Sequence, residues 1–125
     1  MPHLLLVMIG GALGAGARYE VGRWALRHGL GTYPWGTLAV NLAGGLLMGL
    51  LAGFFFGRQP ADQAAWAFLG AGLLGGFTTF SAFSFDMFAM IERGQLAGAA
   101  AYALVSVIGA LALFALGFWL MRMAG

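Results

Sequence analysis

A ten-residue stretch inside an apolar segment carries an unusual density of groups that could contact an ion. Two adjacent glycines, Gly75 and Gly76, precede hydroxyl side chains that alternate with phenylalanine rings over residues 77–84. Adjacent glycines and hydroxyls are common places for a membrane helix to kink or break. Discontinuous helices are also where membrane proteins build ion and substrate sites. We therefore predict that the glycines break a helix in mid-membrane and that the break borders an ion path.

Two kinds of side chain in this stretch could take the place of the water around a small anion. Hydroxyls donate hydrogen bonds, and a phenyl ring has a positive edge. Phe80 and Phe83 share a face if the helix resumes after the break. The candidate hydroxyls are Thr78, Thr79, Ser81 and Ser84. Each hydroxyl could instead bond back to a carbonyl of its own helix, and each ring could simply pack or face lipid.

Five further residues could contribute to the same path. Asn41 costs free energy in hydrocarbon unless it is hydrogen-bonded, so it either joins two helices or donates to an ion, and both interpretations stay open. Asn41 recurs with Gly45, Gly49 and Gly53 at intervals of four, so they share a glycine face that allows close helix packing, and Thr37 extends that face. Tyr102 and Ser106 lie four residues apart on one helical face, where they bond to a neighbouring helix or line the path. Arg18 either snorkels to the interface or attracts anions to a vestibule, and we favour the vestibule.

The composition identifies a membrane protein. The chain has 125 residues, of which 62% are hydrophobic and 8% charged, whereas soluble domains carry roughly 25% charged residues. Its 22 glycines indicate close helix packing. Cysteine is absent, which excludes disulfides and thiolate chemistry. The sequence shows no nucleophile–base set, metal-ligand cluster or long basic run, so we predict neither an enzyme nor a nucleic-acid-binding protein.

The pattern of apolar segments predicts an all-α protein with four transmembrane helices in a single domain, residues 1–125. The predicted spans are residues 4–26, 38–56, 64–91 and 95–121. Nineteen residues without a charge, as in the second span, are long enough to cross a hydrocarbon layer of ~30 Å. A turn over residues 57–62 contains Pro60, with Asp62 as the predicted N-cap of the third span. A signal-peptide interpretation of the first span is disfavoured because Met1, Pro2 and His3 supply no Lys or Arg.

The arginine distribution gives only a weak orientation signal. Four spans place both termini and the 57–62 loop on one side of the membrane. The arginines on that side are Arg58 and Arg122, and those on the other side are Arg18, Arg23, Arg27 and Arg93. Because the positive-inside bias is small, insertion in both orientations is plausible and would permit an antiparallel dimer. Four short helices also enclose little space, which favours an oligomer.

Three motifs in this chain resemble the Fluc (CrcB) fluoride channel family: residues 10–19, 36–44 and 75–84. The resemblance extends over nearly the whole chain, in order and at similar spacing. It implies a four-helix subunit whose third helix is broken, in an antiparallel, dual-topology homodimer with two pores. The implied activity is passive export of fluoride across the inner membrane of the cell, which relieves fluoride toxicity. The implied partners are fluoride, sodium, membrane lipid and a second copy of the chain.

The resemblance also implies roles for individual residues. The pore residues that the resemblance implies are Asn41, Phe80, Phe83, Ser81, Tyr102 and Ser106. From the residue pattern itself we add Thr37, Thr79 and Ser84 as pore candidates and Arg18 as the vestibule candidate. The backbone carbonyls of Gly75 and Thr78, from both subunits, match a structural sodium site. Two positions depart from the family pattern. Ala110 stands where relatives can carry a hydroxyl, and Asp86 replaces a frequent glutamate.

Two other classes of membrane protein fit the size and number of spans. A small dual-topology multidrug transporter should carry a membrane-embedded carboxylate, for which Glu20 is the nearest candidate, although it follows Arg18 at a predicted boundary. A non-transporting assembly subunit would need the glycine faces but not a broken helix. The fluoride channel remains the leading hypothesis.

Overall fold

The computed structural model describes residues 2–29, 33–55 and 63–124, and every regular element among them is helical. Four helices are long and apolar enough to cross a membrane: His3–Arg27, Trp35–Phe55, Gln63–Glu92 and Leu96–Ala124. In chain order the elements are α1 (Pro2–Arg27), α2 (Trp35–Phe55), α3 (Gln63–Trp66), a π-helical segment (Ala67–Leu74), α4 (Gly75–Phe77), α5 (Ser81–Glu92) and α6 (Leu96–Ala124). The four predicted spans are thus confirmed, while the predicted 57–62 turn and its Asp62 cap lie outside the described residues.

The third span is broken, but not at the glycine pair. Gly75 and Gly76 stay helical in α4, and the chain leaves the helix at Thr78, whose φ of −85° and ψ of 158° are extended. Gly76 instead allows a close helix contact: a Cβ added to it would lie 2.6 Å from the carbonyl oxygen of Gly11 in α1. The prediction of a break is therefore confirmed, whereas the prediction that the glycines themselves cause it is wrong.

The π-helical segment before the break was not predicted. It packs against α1 with little side chain between the two backbones, because a Cβ on Gly10 would lie 2.5 Å from the Phe68 carbonyl oxygen. On the other helix, a Cβ on Gly72 would lie 3.0 Å from the Val7 carbonyl oxygen. π-Helical turns often accompany functional sites, since they displace a helix from its regular register. Here the segment leads directly into α4 and the break.

The glycine face of α2 packs on α6, as its four-residue spacing predicts. A Cβ on Gly45 would lie 2.9 Å from the Ala110 carbonyl oxygen, and one on Gly49 would overlap the carbonyl of Phe114. Gly53 continues the same contact one turn later. Small residues at this spacing let two backbones approach closely. Helices in a membrane associate through such close packing, because lipid tails are as apolar as the side chains and the hydrophobic effect does not drive the contact.

We expect Gly49→Ala to disrupt the α2–α6 contact, because the added methyl group would overlap backbone that cannot rotate away. Overpacking of this kind usually costs about 1–3 kcal/mol and occasionally more. The thermal unfolding midpoint of the purified protein measures the effect. Gly22→Ala in α1 is the matched control, since a Cβ there meets no atom of the described chain within 4 Å. Equal melting temperatures for the two variants would contradict the packing assignment.

The buried core is small and lies beside the break. Its buried members are Leu38, Met90, Ala99 and Tyr102, with Tyr33, Leu42, Phe83 and Met87 packed around them. Many large apolar side chains are instead exposed on the single chain, among them Leu13, Phe80, Phe88, Ile108 and Leu111. Exposed apolar surface on this scale is expected where a protein faces lipid or another protein.

Candidate functional site

The side chain of Asn41 in α2 hydrogen-bonds to the backbone of the break. Its Nδ2 donates to the Thr79 carbonyl oxygen at 3.0 Å, and its Oδ1 accepts from the Thr79 N–H at 2.9 Å. One side-chain amide thus satisfies both backbone groups of a residue that lies outside the helix and has lost its helical partners. Asn41 also lines a cavity beside the break. The two interpretations of this residue, helix contact and path residue, are therefore compatible in one position.

The threonine hydroxyls on either side of the break differ in their bonding. Thr79 Oγ1 accepts from the Ala82 N–H at 3.1 Å, so this threonine caps the start of α5. The same oxygen lies 3.2 Å from Ser81 Oγ. Thr78 Oγ1 donates to the Leu74 carbonyl at 3.0 Å, the ordinary back-bond of a hydroxyl in a membrane helix.

Two carbonyl groups lose their helical donors as a result. In a continuous helix the Thr79 N–H would bind the Gly75 carbonyl, but here it binds Asn41. Likewise the Ala82 N–H would bind the Thr78 carbonyl, but here it binds the Thr79 hydroxyl. The carbonyl oxygens of Gly75 and Thr78 are therefore available to other partners, which fits a cation that binds carbonyl oxygens at an unwound helix.

An inner cavity of about 590 Å³ lies between α2, the break and α6. Its lining in the described part of the chain includes no charged side chain, and it includes Asn41, Thr78, Thr79, Phe80, Phe83 and Ser106. Ser106 is only 6% exposed, and its Oγ has no hydrogen-bond partner among the described residues. A buried hydroxyl without a partner costs about 1–3 kcal/mol, and a ligand that accepts its hydrogen bond would remove this cost.

The two phenylalanine rings share a face but not an environment. Their centroids are 5.6 Å apart. Phe80 is 77% exposed on the single chain, whereas Phe83 is half-buried and its ring centroid lies 5.1 Å from that of the core residue Tyr102. Phe83 therefore packs against the core and also lines the cavity, whereas Phe80 only lines the cavity.

This difference predicts distinct outcomes for the two alanine variants. We expect Phe80→Ala to leave the unfolding midpoint of the isolated subunit near that of the wild type, since its ring packs on little. Phe83→Ala should lower the stability by about 1–3 kcal/mol, less than for a fully buried phenylalanine, because the ring is only half-buried. Chemical denaturation in detergent checks both values. A larger loss for Phe80→Ala would show that its ring is buried by a partner rather than by its own chain.

A second, mouth cavity of about 650 Å³ opens near the ends of α1 and α5. Its charged lining residues are Arg18, Arg23, Asp86 and Arg93, and Thr37 and Tyr33 lie beside them. The Tyr102 hydroxyl donates to Asp86 Oδ2 at 3.0 Å. Because Tyr102 contacts Asp86 of the mouth cavity and Phe83 of the inner cavity, it lies between the two.

The predicted residues thus fall into four groups. Those on the inner cavity are Asn41, Thr78, Thr79, Phe80, Phe83 and Ser106, with Gly75 also in its lining. Thr37 and Arg18 line the mouth cavity instead, and Tyr102 lies between the cavities. Ser81 and Ser84 are exposed and line neither. The hydrogen bond between Tyr102 and Asp86 was not predicted; the three-residue spacing of Asp86 from Phe83 is the signal that places it on the same helical face.

Comparison with known proteins decides the family. The family model described as CrcB-like protein, Camphor Resistance (CrcB), matches residues 5–118. The chain belongs to the CrcB family. The resemblance that the three motifs carried is confirmed, and the four spans make this CrcB member a multi-pass membrane protein.

Several curated CrcB relatives match along nearly the full chain. A protein of Rhizobium meliloti (strain 1021) is 49% identical over 123 residues, which cover 98% of this chain and 98% of the relative. One of Hyphomonas neptunium (strain ATCC 15444) is 50% identical over 124 residues, which cover 98% of this chain and 97% of the relative. One of Erythrobacter litoralis (strain HTCC2594) is 48% identical, with 95% and 91% covered. All three are named fluoride-specific ion channel FluC, a name that describes a channel rather than an enzyme.

Proposed function

We propose that this CrcB protein is a fluoride-specific ion channel. It lets fluoride leave the cell passively across the inner membrane and so limits fluoride toxicity. The relatives named as fluoride channels support the ion, and the Ser106 hydroxyl supports the path. This buried donor has no partner among the described residues and lines a cavity that also holds Asn41 and two aromatic rings.

The chemistry of the inner cavity suits fluoride. Fluoride is small, strongly hydrated and an avid hydrogen-bond acceptor, so a dry path must replace its water with donors. Ser106 and Asn41 supply donors, and the edges of Phe80 and Phe83 supply weaker positive contacts. Neutral groups also bind loosely enough for the ion to leave, which conduction requires.

The pore is completed by a second copy of the chain, in an antiparallel, dual-topology homodimer with two pores. The exposure of Phe80 supports this, because a path-lining ring needs a wall opposite it. Val107 and Leu111, which are exposed on α6, line the same open cavity and offer an apolar surface for that wall. Each subunit is one transmembrane domain, residues 1–125.

A sodium ion joins the two subunits at the dimer centre. The ligands are the carbonyl oxygens of Gly75 and Thr78 from each subunit, the two groups whose helical donors are diverted at the break. Gly75 is exposed on the single chain, as a group shared with a partner must be. The ion supplies positive charge to carbonyl groups that would otherwise be unsatisfied.

A proton-coupled multidrug transporter is the less favoured function. Glu20, its nearest candidate carboxylate in the sequence, is exposed and pairs with Arg23 at 2.9 Å. Among the carboxylates that the structure describes, Asp86 alone is half-buried, and it accepts from Tyr102. Neither group is a free carboxylate inside the membrane.

Fluoride efflux from liposomes that contain the purified protein tests the proposal. An ion-selective electrode follows fluoride, and parallel liposomes are loaded with chloride. We expect rapid fluoride efflux without a proton gradient and no comparable chloride efflux. Chloride efflux as fast as fluoride efflux would contradict fluoride specificity. Fluoride efflux that requires a proton gradient would favour the transporter.

A further inference from the structure

The first span supplies a side chain to the break in the third. Arg18 Nε donates to the carbonyl oxygen of Gly76 at 3.2 Å, across 58 residues of sequence. In a continuous helix this carbonyl would accept from the Phe80 N–H. Because the chain turns extended at Thr78, that donor is carried away and the carbonyl needs another partner.

The packing of α1 fixes where Arg18 reaches. Gly11, Gly14 and Arg18 recur at i, i+3 and i+7, so they share one face of α1. A Cβ on Gly14 would lie 2.8 Å from the Phe77 nitrogen, and Gly76 packs equally closely on Gly11. This backbone contact places Arg18 one turn further along, beside the last residues of α4.

The charge of Arg18 also suits this position. The C-terminal end of a helix carries partial negative charge on its unpaired carbonyls, and a cation there is stabilising. A guanidinium meets this requirement well because its donors lie in a rigid plane and it stays charged when half-buried. The donor that Arg18 directs to Gly76 is Nε, and the side chain also borders the mouth cavity.

We propose that Arg18 is a positioning residue of the pore, which caps the first half of the broken span and so holds the break open for the ion. This inference rests on the proposed channel function and gives Arg18, which also lines the mouth cavity, a positioning role at the path itself. The capped carbonyl is adjacent to the Gly75 carbonyl, a proposed sodium ligand. Loss of the cap therefore disturbs the geometry of the path, and not only the charge at its mouth.

Arg93 provides a matched control. It lines the same mouth cavity, but its Nε bonds to the Gln95 side chain on the protein surface rather than to the break. Arg93→Gln therefore removes a positive charge from the cavity and leaves the cap intact. Arg23 is less suitable, since its removal would also unpair Glu20.

The experiment compares Arg18→Gln, Arg18→Lys and Arg93→Gln by single-channel fluoride current in planar bilayers and by thermal unfolding. Currents are recorded at ionic strengths of about 0.01 M and 1 M, where the Debye length falls from ~30 Å to ~3 Å. We expect both Arg18 variants to carry roughly tenfold less current at both ionic strengths, about the effect of one charge-assisted hydrogen bond. Arg93→Gln should differ from wild type only at low ionic strength.

Each outcome separates the positioning role from its alternatives. A purely structural role would reduce the number of channels but not the current through each one. A purely electrostatic role would let high salt abolish the Arg18→Gln deficit, or let lysine restore the wild-type current, and either result would overturn the proposal. If the wild type passes no fluoride, the channel function fails. Unfolding midpoints of the Arg18 variants that match Arg93→Gln would overturn the cap independently of any current.

Discussion

Replacement of Asn41 by aspartate is expected to reduce fluoride flux roughly a thousandfold. A fixed negative charge about 4 Å from the ion costs about 4 kcal/mol at the effective dielectric of a partly buried site, and each 1.4 kcal/mol is tenfold in occupancy. The aspartate also lacks the Nδ2 donor that binds the Thr79 carbonyl, so the variant loses one of two bonds that close the break. Fluoride efflux from liposomes measures the change.

Asn41→Ala distinguishes the charge from the lost hydrogen bonds. Alanine removes both contacts with Thr79 but adds no charge. If repulsion dominates, alanine retains more flux than aspartate even though it disturbs the break more. Wild-type flux in the aspartate variant would remove Asn41 from the ion path. A variant that no longer elutes as folded protein would show that its bonds to Thr79 are its main role.

Ser106→Ala is expected to lower flux and raise stability, a combination that ordinary packing does not produce. The hydroxyl has no partner among the described residues, so its removal abolishes a desolvation penalty of about 1–3 kcal/mol. A hydrogen bond to a charged group contributes about 1.5–3 kcal/mol, so its loss should reduce flux roughly tenfold to a hundredfold. Flux and the unfolding midpoint are measured on the same preparation.

Tyr102→Phe, four residues away on the same helix, is the contrasting variant. Its hydroxyl has a partner in Asp86, so its removal leaves a half-buried carboxylate with one hydrogen bond fewer. We expect this variant to lose stability while Ser106→Ala gains it. Unchanged flux in Ser106→Ala would mean that the hydroxyl does not meet the ion and that the inner cavity is not the path.

The number of spans and the close-packing face of α2 could be predicted because they depend on local pattern. Uncharged segments of sufficient length define the spans, and the four-residue spacing of Gly45, Gly49 and Gly53 defines the face that meets α6. The break was predictable from the cluster of hydroxyls and glycines. Its position was not, since both glycines stay helical and Gly76 packs directly on Gly11 of another span. Only the tertiary packing distinguishes a glycine that bends a helix from one that lets a neighbour approach.

The partners of individual polar groups were likewise beyond the sequence. Asn41 was equally consistent with a helix contact and with an ion path, and the structure gives it bonds to Thr79 across 38 residues. Asp86 accepts a hydrogen bond from Tyr102, 16 residues later, and no sequence pattern indicates this bond. Hydrogen bonds between distant helices depend on rotation and depth, which no spacing rule within one helix specifies.

The position in the sequence of the groups that hydrogen-bond to the break has a consequence for biosynthesis. Arg18 and Asn41 both precede the third span in the chain, and so does the glycine surface on which that span lies. Since domains emerge from the ribosome with their N-terminal parts first, these groups are made before the unwound residues that need them. The unpaired N–H and C=O groups of an interrupted helix cost free energy in lipid. Here the groups that bind them are already synthesised when the third span enters the membrane.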